Sequence, residues 1–174
     1  KLINTVMSQE RTYKELMVGL EKLNQQILVM HEVIDKYVEV LLDLDPNTLE
    51  SMTDTYHNES LTYSNLQKEL IHLIKTIELD DQDSTIKSIV GKCKSLGFEI
   101  IANSLEELRV ATKENASIMD DKQSRMINLL LFASSCNSDT LKDIYSLADP
   151  DYKAYNSNGR VDRSGVGIGL NHQV

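Results

Sequence analysis

The chain has 174 residues, a hydrophobic fraction of 41% and a formal net charge of −9, which suits one domain with a buried core. Seven glycines and two prolines leave long stretches rich in Leu, Ile, Glu and Lys, so the composition predicts an all-α protein. The acidic balance, without basic clusters, argues against nucleic acid as a partner. No apolar run reaches the roughly 20 residues that a membrane-spanning helix needs.

The spacing of the cysteines and the N-terminal sequence indicate the cellular compartment in which the protein is expected. Cys93 and Cys136 are far apart and lie in helix-like stretches, so we expect neither a disulfide framework nor a metal-binding pair. The first residues lack the apolar core of a signal peptide. We therefore expect a protein of the reducing cytoplasm.

The first predicted helix carries apolar residues at alternating steps of three and four, the spacing of a heptad stripe. These residues are Tyr13, Leu16, Leu20, Leu23, Ile27, Met30, Ile34, Tyr37, Leu41 and Leu44. Asp45, Pro46 and Asn47 end the stripe, because proline disfavours helix in the residue before it. A tight hairpin to a second, antiparallel helix is predicted here.

The second helix repeats the spacing, with one acidic residue in the stripe. Its positions are Leu49, Met52, Tyr56, Glu59, Tyr63, Leu66, Leu70, Leu73 and Ile77. The Glu59 carboxylate must reach solvent, pair with a cation or take up a proton, because burying it alone is costly. We favour a structural explanation, in which the Glu59 side chain extends to solvent or the bundle is wider at this point, over a functional role for the residue.

An acidic stretch and a short connector helix come next. Ser84 is predicted to cap a helix from Thr85 to Leu96, with Gly97 ending it. A third long helix is predicted from about Phe98 to Ser135. Its stripe consists of Ile101, Leu105, Leu108, Thr112, Asn115, Met119, Lys122, Met126 and Leu129. Because three of these are polar, we expect looser packing in its C-terminal half.

Residues 126–133 are apolar around most of the helix. We expect them to be covered by the connector, by a fold-back of Thr140 to Leu147, or by a partner. The tail that follows is rich in Gly, Asn, Ser and Asp and is predicted to be irregular. The predicted fold is thus an elongated antiparallel bundle of three long helices with a short connector helix, over residues 1–147, and an irregular tail, 148–174.

The chain offers little of the convergent chemistry that an enzyme needs. His31 and Asp35 have the spacing of two metal ligands, but two ligands do not make a site. Neither catalytic residues nor a metal or cofactor are therefore predicted. His72 with Lys75 is a faint version of a histidine phosphotransfer site, which is kept as an alternative.

The tail carries the most specific pattern. Tyr155-Asn156-Ser157-Asn158-Gly159-Arg160-Val161 and the ending Leu170-Asn171-His172-Gln173-Val174, after three long helices, resemble the FlgN family of flagellar export chaperones. The resemblance covers nearly the whole chain in architecture, and only the tail in motif.

This resemblance implies a cytoplasmic chaperone that binds the helical C-terminal segments of flagellar hook-filament junction proteins before type III export. Flagellar hook-associated proteins would be its partners, with the export machinery as a second one. The partner helix would lie in a groove beside the third long helix. The predicted partner-binding residues are Met119, Met126, Ile127, Leu130, Leu131, Phe132, Tyr145, Tyr152 and Tyr155. A coiled-coil protein that forms homo-oligomers through the same surface is the alternative.

Overall fold

The chain is all-α, as predicted. A computed structural model describes the backbone of residues 2–43, 46–77 and 85–148, and the side chains of residues 8–43, 47–77 and 85–144. Four helices lie in this part of the chain. They are α1 (Leu2–Asp43), α2 (Pro46–Thr76), α3 (Ile86–Ser95) and α4 (Glu99–Ala148).

The predicted stripe of α1 is the centre of the core. Its residues from Tyr13 to Leu41 are all at most 9% exposed, and Leu16 and Met30 are fully buried. Leu44 lies outside the described residues. Each such side chain contributes about 1.5 to 3 kcal/mol when buried, so the stripe dominates the stability of the bundle. On α2 most stripe residues are half-buried, while Leu70 and Ile77 are buried.

Pro46 is the first residue of α2. Its missing N–H costs nothing in the first turn of a helix, and its fixed φ already suits one. The predicted break between the two long helices is thus confirmed, with α1 ending at Asp43.

Side-chain contacts give the direction of each long helix. Tyr37 contacts Thr53 through their hydroxyls at 2.9 Å, while Gln26, earlier in α1, contacts Glu59, later in α2. The order is reversed, so α1 and α2 are antiparallel.

Contacts between α1 and α4 run in the same order along both helices. Asn115 Nδ2 of α4 donates to Asn24 Oδ1 of α1 at 2.9 Å. Further along both helices, Lys122 Nζ lies 2.5 Å from Asp35 Oδ2. The part of α4 that belongs to the first unit, up to Met126, is therefore parallel to α1 and antiparallel to α2.

The short helix α3 has well-defined ends. Thr85 is its N-cap, with the hydroxyl accepting a hydrogen bond from the Ser88 N–H at 3.2 Å, so the predicted cap at Ser84 was one residue early. At the other end, Gly97 has φ +84°. The Phe98 N–H donates to the Cys93 carbonyl and the Gly97 N–H to the Lys94 carbonyl. These two bonds make a Schellman motif, which requires a left-handed residue at Gly97.

We expect the Gly97→Ala variant to lose about 1 to 2 kcal/mol of unfolding free energy, because a Cβ disfavours the left-handed conformation. The matched control is Gly91→Ala in the same helix, where a Cβ would meet nothing within 4 Å. That change should stabilise the chain by about 0.5 to 1 kcal/mol. Urea unfolding followed by circular dichroism measures both, and equal effects of the two changes would contradict the assignment.

Helix α3 lies beside the first turns of α4. A hydrogen bond from Arg109 is the main cause that lowers the pKa of Glu106, and the charges of Lys94 and Lys87 lower it further. The buried residues of α3 are Ile89, Val90 and Cys93.

Helix α4 continues past the predicted end at Ser135 to Ala148. Of the three alternatives for covering residues 126–133, the fold-back of Thr140 to Leu147 is therefore excluded, since residues 140–147 extend the same helix. Ser135, Asn137 and Ser138 resemble a loop in composition, but neither Gly nor Pro occurs between Phe98 and Ala148. Without such a residue the helix has no strong stop signal.

The chain divides into two compact units, Lys1–Met126 and Ile127–Val174. The division lies inside α4, and thus earlier than the predicted boundary at residue 147. The first unit contains α1, α2, α3 and the beginning of α4. In the second unit the described residues are 127–148, and the predicted irregular tail lies outside them apart from Ala148.

Candidate functional site

The histidines are not brought together with other metal-binding groups. His31 Nε2 donates to the Asn115 carbonyl at 2.8 Å, and Asp35 pairs with Lys122 instead of approaching His31. No group of three or more His, Cys, Asp or Glu side chains suited to a metal ion occurs in the described residues. His172 lies outside them.

His72 is exposed on α2, as are Lys68 and Lys75 one turn to either side. A histidine that takes part in phosphotransfer must be exposed and have basic or polar groups nearby, and His72 meets this condition. The lysines could attract a phosphoryl donor, but no second acid or base is placed by the described contacts to assist the transfer.

The thiol of Cys93 is fully buried, and this burial raises its pKa from the ordinary 9.0 to about 11. A thiol held in its neutral form is a poor nucleophile at neutral pH. Cys93 therefore belongs to the core, whereas Cys136 is exposed on α4.

The raised pKa of Cys93 predicts weaker folding at alkaline pH. Above about pH 9 the unfolded chain loses the thiol proton while the folded chain keeps it, so the free energy of unfolding should fall by about 2 to 3 kcal/mol towards pH 11. The control is Cys93→Ala, which removes the thiol and keeps Tyr13, whose pKa is raised mainly by burial. Unfolding curves at several pH values test this, and an identical pH dependence of the two chains would contradict it.

Glu59 is half-buried and paired with a neutral amide. Gln26 Nε2 donates to its carboxylate at 2.6 Å and to its backbone carbonyl at 3.2 Å. The contact satisfies one oxygen of the carboxylate and links α1 to α2 at the middle of the bundle.

Polar contacts also hold residues 112–126 of α4. Asn115 Nδ2 donates to Asn24 Oδ1 at 2.9 Å, and Gln123 Nε2 donates to the Tyr56 hydroxyl at 2.9 Å. Thr112 is buried, and its hydroxyl has no hydrogen-bond partner in the described residues. Such a hydroxyl costs about 1 to 3 kcal/mol, whereas each satisfied contact contributes only about 0.5 to 1.5 kcal/mol.

The predicted partner-binding residues fall into three groups. Met119 and Met126 are 2% and 3% exposed, so in this conformation they are core residues and do not line an open groove. Their heptad positions in the sequence also indicate burial. Tyr145 lies in α4 with its side chain outside the described ones, and Tyr152 and Tyr155 lie outside the described residues.

The third group is exposed on α4. Leu131 is 65% and Phe132 68% exposed, Ile127 is 49% exposed, and Leu130 is half-buried. Two apolar residues that were not predicted, Leu141 and Ile144, are more than half exposed further along the helix. We call Ile127, Leu131, Phe132, Leu141 and Ile144 the C-terminal apolar surface.

The periodicity of this surface could have identified Leu141. Positions 127, 131 and 141 fall on one face of a helix with 3.6 residues per turn, whereas Ile144 lies about 100° and Phe132 about 140° around the helix from the centre of that face. Because the helix was predicted to end at Ser135, Leu141 was not placed on the same helical face as Ile127 and Leu131.

Charge is missing from the same part of the helix. Residues 127–138 contain no Asp, Glu, Lys or Arg, although 26% of the chain is charged. A helix that faces only water normally carries charges on its surface. The combination of exposed apolar side chains and missing charge marks an interaction surface.

An open groove of about 550 Å³ lies between α1 and α2. Apolar residues and charged residues of both signs line it: Val18, Gly19, Leu66, Leu70 and Leu73, with Arg11, Lys14, Glu15, Lys22 and Glu69. A Cβ on Gly19 would meet Leu70 and Leu73 at ordinary contact distances of 3.4 and 3.5 Å. The glycine is therefore not required for the packing of the two helices.

Compared with protein families, curated proteins and solved structures, the chain matches none of them. None of the helices in the described part of the chain is long and apolar enough to cross a membrane.

Proposed function

We propose that this protein is an export chaperone that binds an amphipathic helix of its client on the C-terminal apolar surface. The clients are the helical C-terminal segments of flagellar hook-filament junction proteins, as the resemblance to the FlgN family implies. The observation that supports this proposal best is the exposure of Leu131 and Phe132 in a helical segment without charges.

A client helix suits this surface because its backbone groups are already satisfied within the helix. It can therefore lay an apolar stripe against α4 without leaving donors or acceptors unpaired. Leu131 and Phe132 would act as the anchors, since large apolar side chains near the centre of an interface contribute most of its binding energy. Masking of the client stripe would prevent premature assembly.

The test is capture of client segments by the intact chain. Purified C-terminal helical segments of hook-filament junction proteins are titrated against the chain and against the Leu130→Asp and Leu131→Asp variants. Micromolar or tighter binding by the intact chain, with loss of binding in both variants, supports the proposal. No binding by the correctly folded intact chain, or unchanged binding by the variants, contradicts it.

Self-association is the second candidate, because the same uncharged surface could pack against its equivalent in another copy. Sedimentation velocity separates the two functions. Dimers that form with rising concentration and dissociate in Leu131→Asp, without any client binding, favour self-association. A chain that stays monomeric and binds the client segments favours the chaperone.

A further inference from the structure

The attachment of α4 to α1 and α2 differs in character between residues 99–111 and residues 112–126. In the first part Ile101, Ala102 and Leu105 are buried, and α3 lies beside the helix. In the second part the buried apolar side chains are Met119 and Met126. The other stripe positions of that part are occupied by Thr112, Asn115 and Lys122.

The polar contacts of this second part can be replaced by contacts with water. Separation from α1 would bring the part-buried Asn115–Asn24 pair into water, which solvates both amides well, and would break the Lys122–Asp35 pair, which is already exposed. Separation would let water reach the buried Thr112 hydroxyl, which has no hydrogen-bond partner in the described residues.

We infer that residues 112–126 of α4 form a latch that separates from α1 ahead of residues 99–111 of the same helix and exposes Met119 and Met126. Local opening of this kind favours a segment that is held by polar contacts and few buried apolar side chains. The purpose of the latch rests on the proposed function, since the exposed methionines would offer a client additional adaptable contacts. The opening itself is a property of the free chain.

The experiment compares the labelling rates of two buried thiols under native conditions. Met119→Cys and Leu105→Cys are each made in a Cys136→Ser background, so that the exposed cysteine does not react. Each rate is divided by the rate of the same thiol in the urea-unfolded chain. We expect the thiol at position 119 to react at least tenfold faster than the thiol at position 105. Equal normalised rates would overturn the inference.

A closing substitution provides the matched control. Thr112→Val keeps the shape of the side chain and removes the unpartnered hydroxyl, so it should slow labelling at position 119 by about tenfold and leave position 105 unchanged. An unchanged labelling rate at position 119 would mean that the unpartnered Thr112 hydroxyl does not promote opening, which contradicts the inference. The labelling rates are measured without a client, so they test the opening of the latch by itself. If the chain bound no client segment, the proposed function would be contradicted, and the labelling rates would still show whether the latch opens.

Discussion

Replacing Leu105 with alanine is expected to lower the free energy of unfolding by about 2 to 5 kcal/mol, which is the usual cost of removing a large buried side chain. Leu105 is fully buried in the first half of α4, where Ile101 and Ala102 are its buried neighbours along the helix. A cavity there cannot be filled by water at low cost, because the site is apolar. The loss should therefore lie well above the effect of an average substitution.

The measurement is urea unfolding at equilibrium, followed by circular dichroism. The control is Leu61→Ala on α2, since Leu61 is 54% exposed and its truncation should cost less than about 1 kcal/mol. If both variants lost the same stability, Leu105 would not be part of a tightly packed core.

The core could be predicted from the sequence because one rule governs it. A stripe with alternating steps of three and four on a helix must be covered, whatever covers it. This is why the buried residues of α1 follow the predicted stripe from Tyr13 to Leu41. The predicted end of α4 rested on a weaker signal, namely the Ser and Asn residues near position 135. These residues favour loops only modestly, and they adopt helical structure where no Gly or Pro ends the helix.

The candidate site was less predictable for a related reason. Heptad spacing places Met119 and Met126 on the covered face of α4, yet the sequence does not say which neighbour covers it. The structure supplies the facing groups, among them Asn24 and Asp35 of α1. Pairs such as Gln26 with Glu59 join positions far apart in sequence, and spacing within one helix carries no information about them.

The largest effect on binding is expected from Leu131→Asp combined with Phe132→Asp. Each side chain buried by a client contributes about 1.5 to 3 kcal/mol, and a carboxylate in its place must also be desolvated. Affinity for a client segment should therefore fall about 100-fold or more. The stability of the chain should change little, since the two side chains are 65% and 68% exposed in the free protein.

The matched control is Leu61→Asp combined with Ile71→Asp, because these residues of α2 are 54% and 51% exposed. It adds the same charge to the same chain at another surface, so it separates a local loss of contacts from general repulsion of the client by an acidic protein. Titration calorimetry with one client segment measures both double variants. Equal losses of affinity would mean that charge, and not the C-terminal apolar surface, controls binding. A loss confined to the α4 variant would place the client on the C-terminal apolar surface, because the control variant adds the same charge to the same chain at another exposed apolar position.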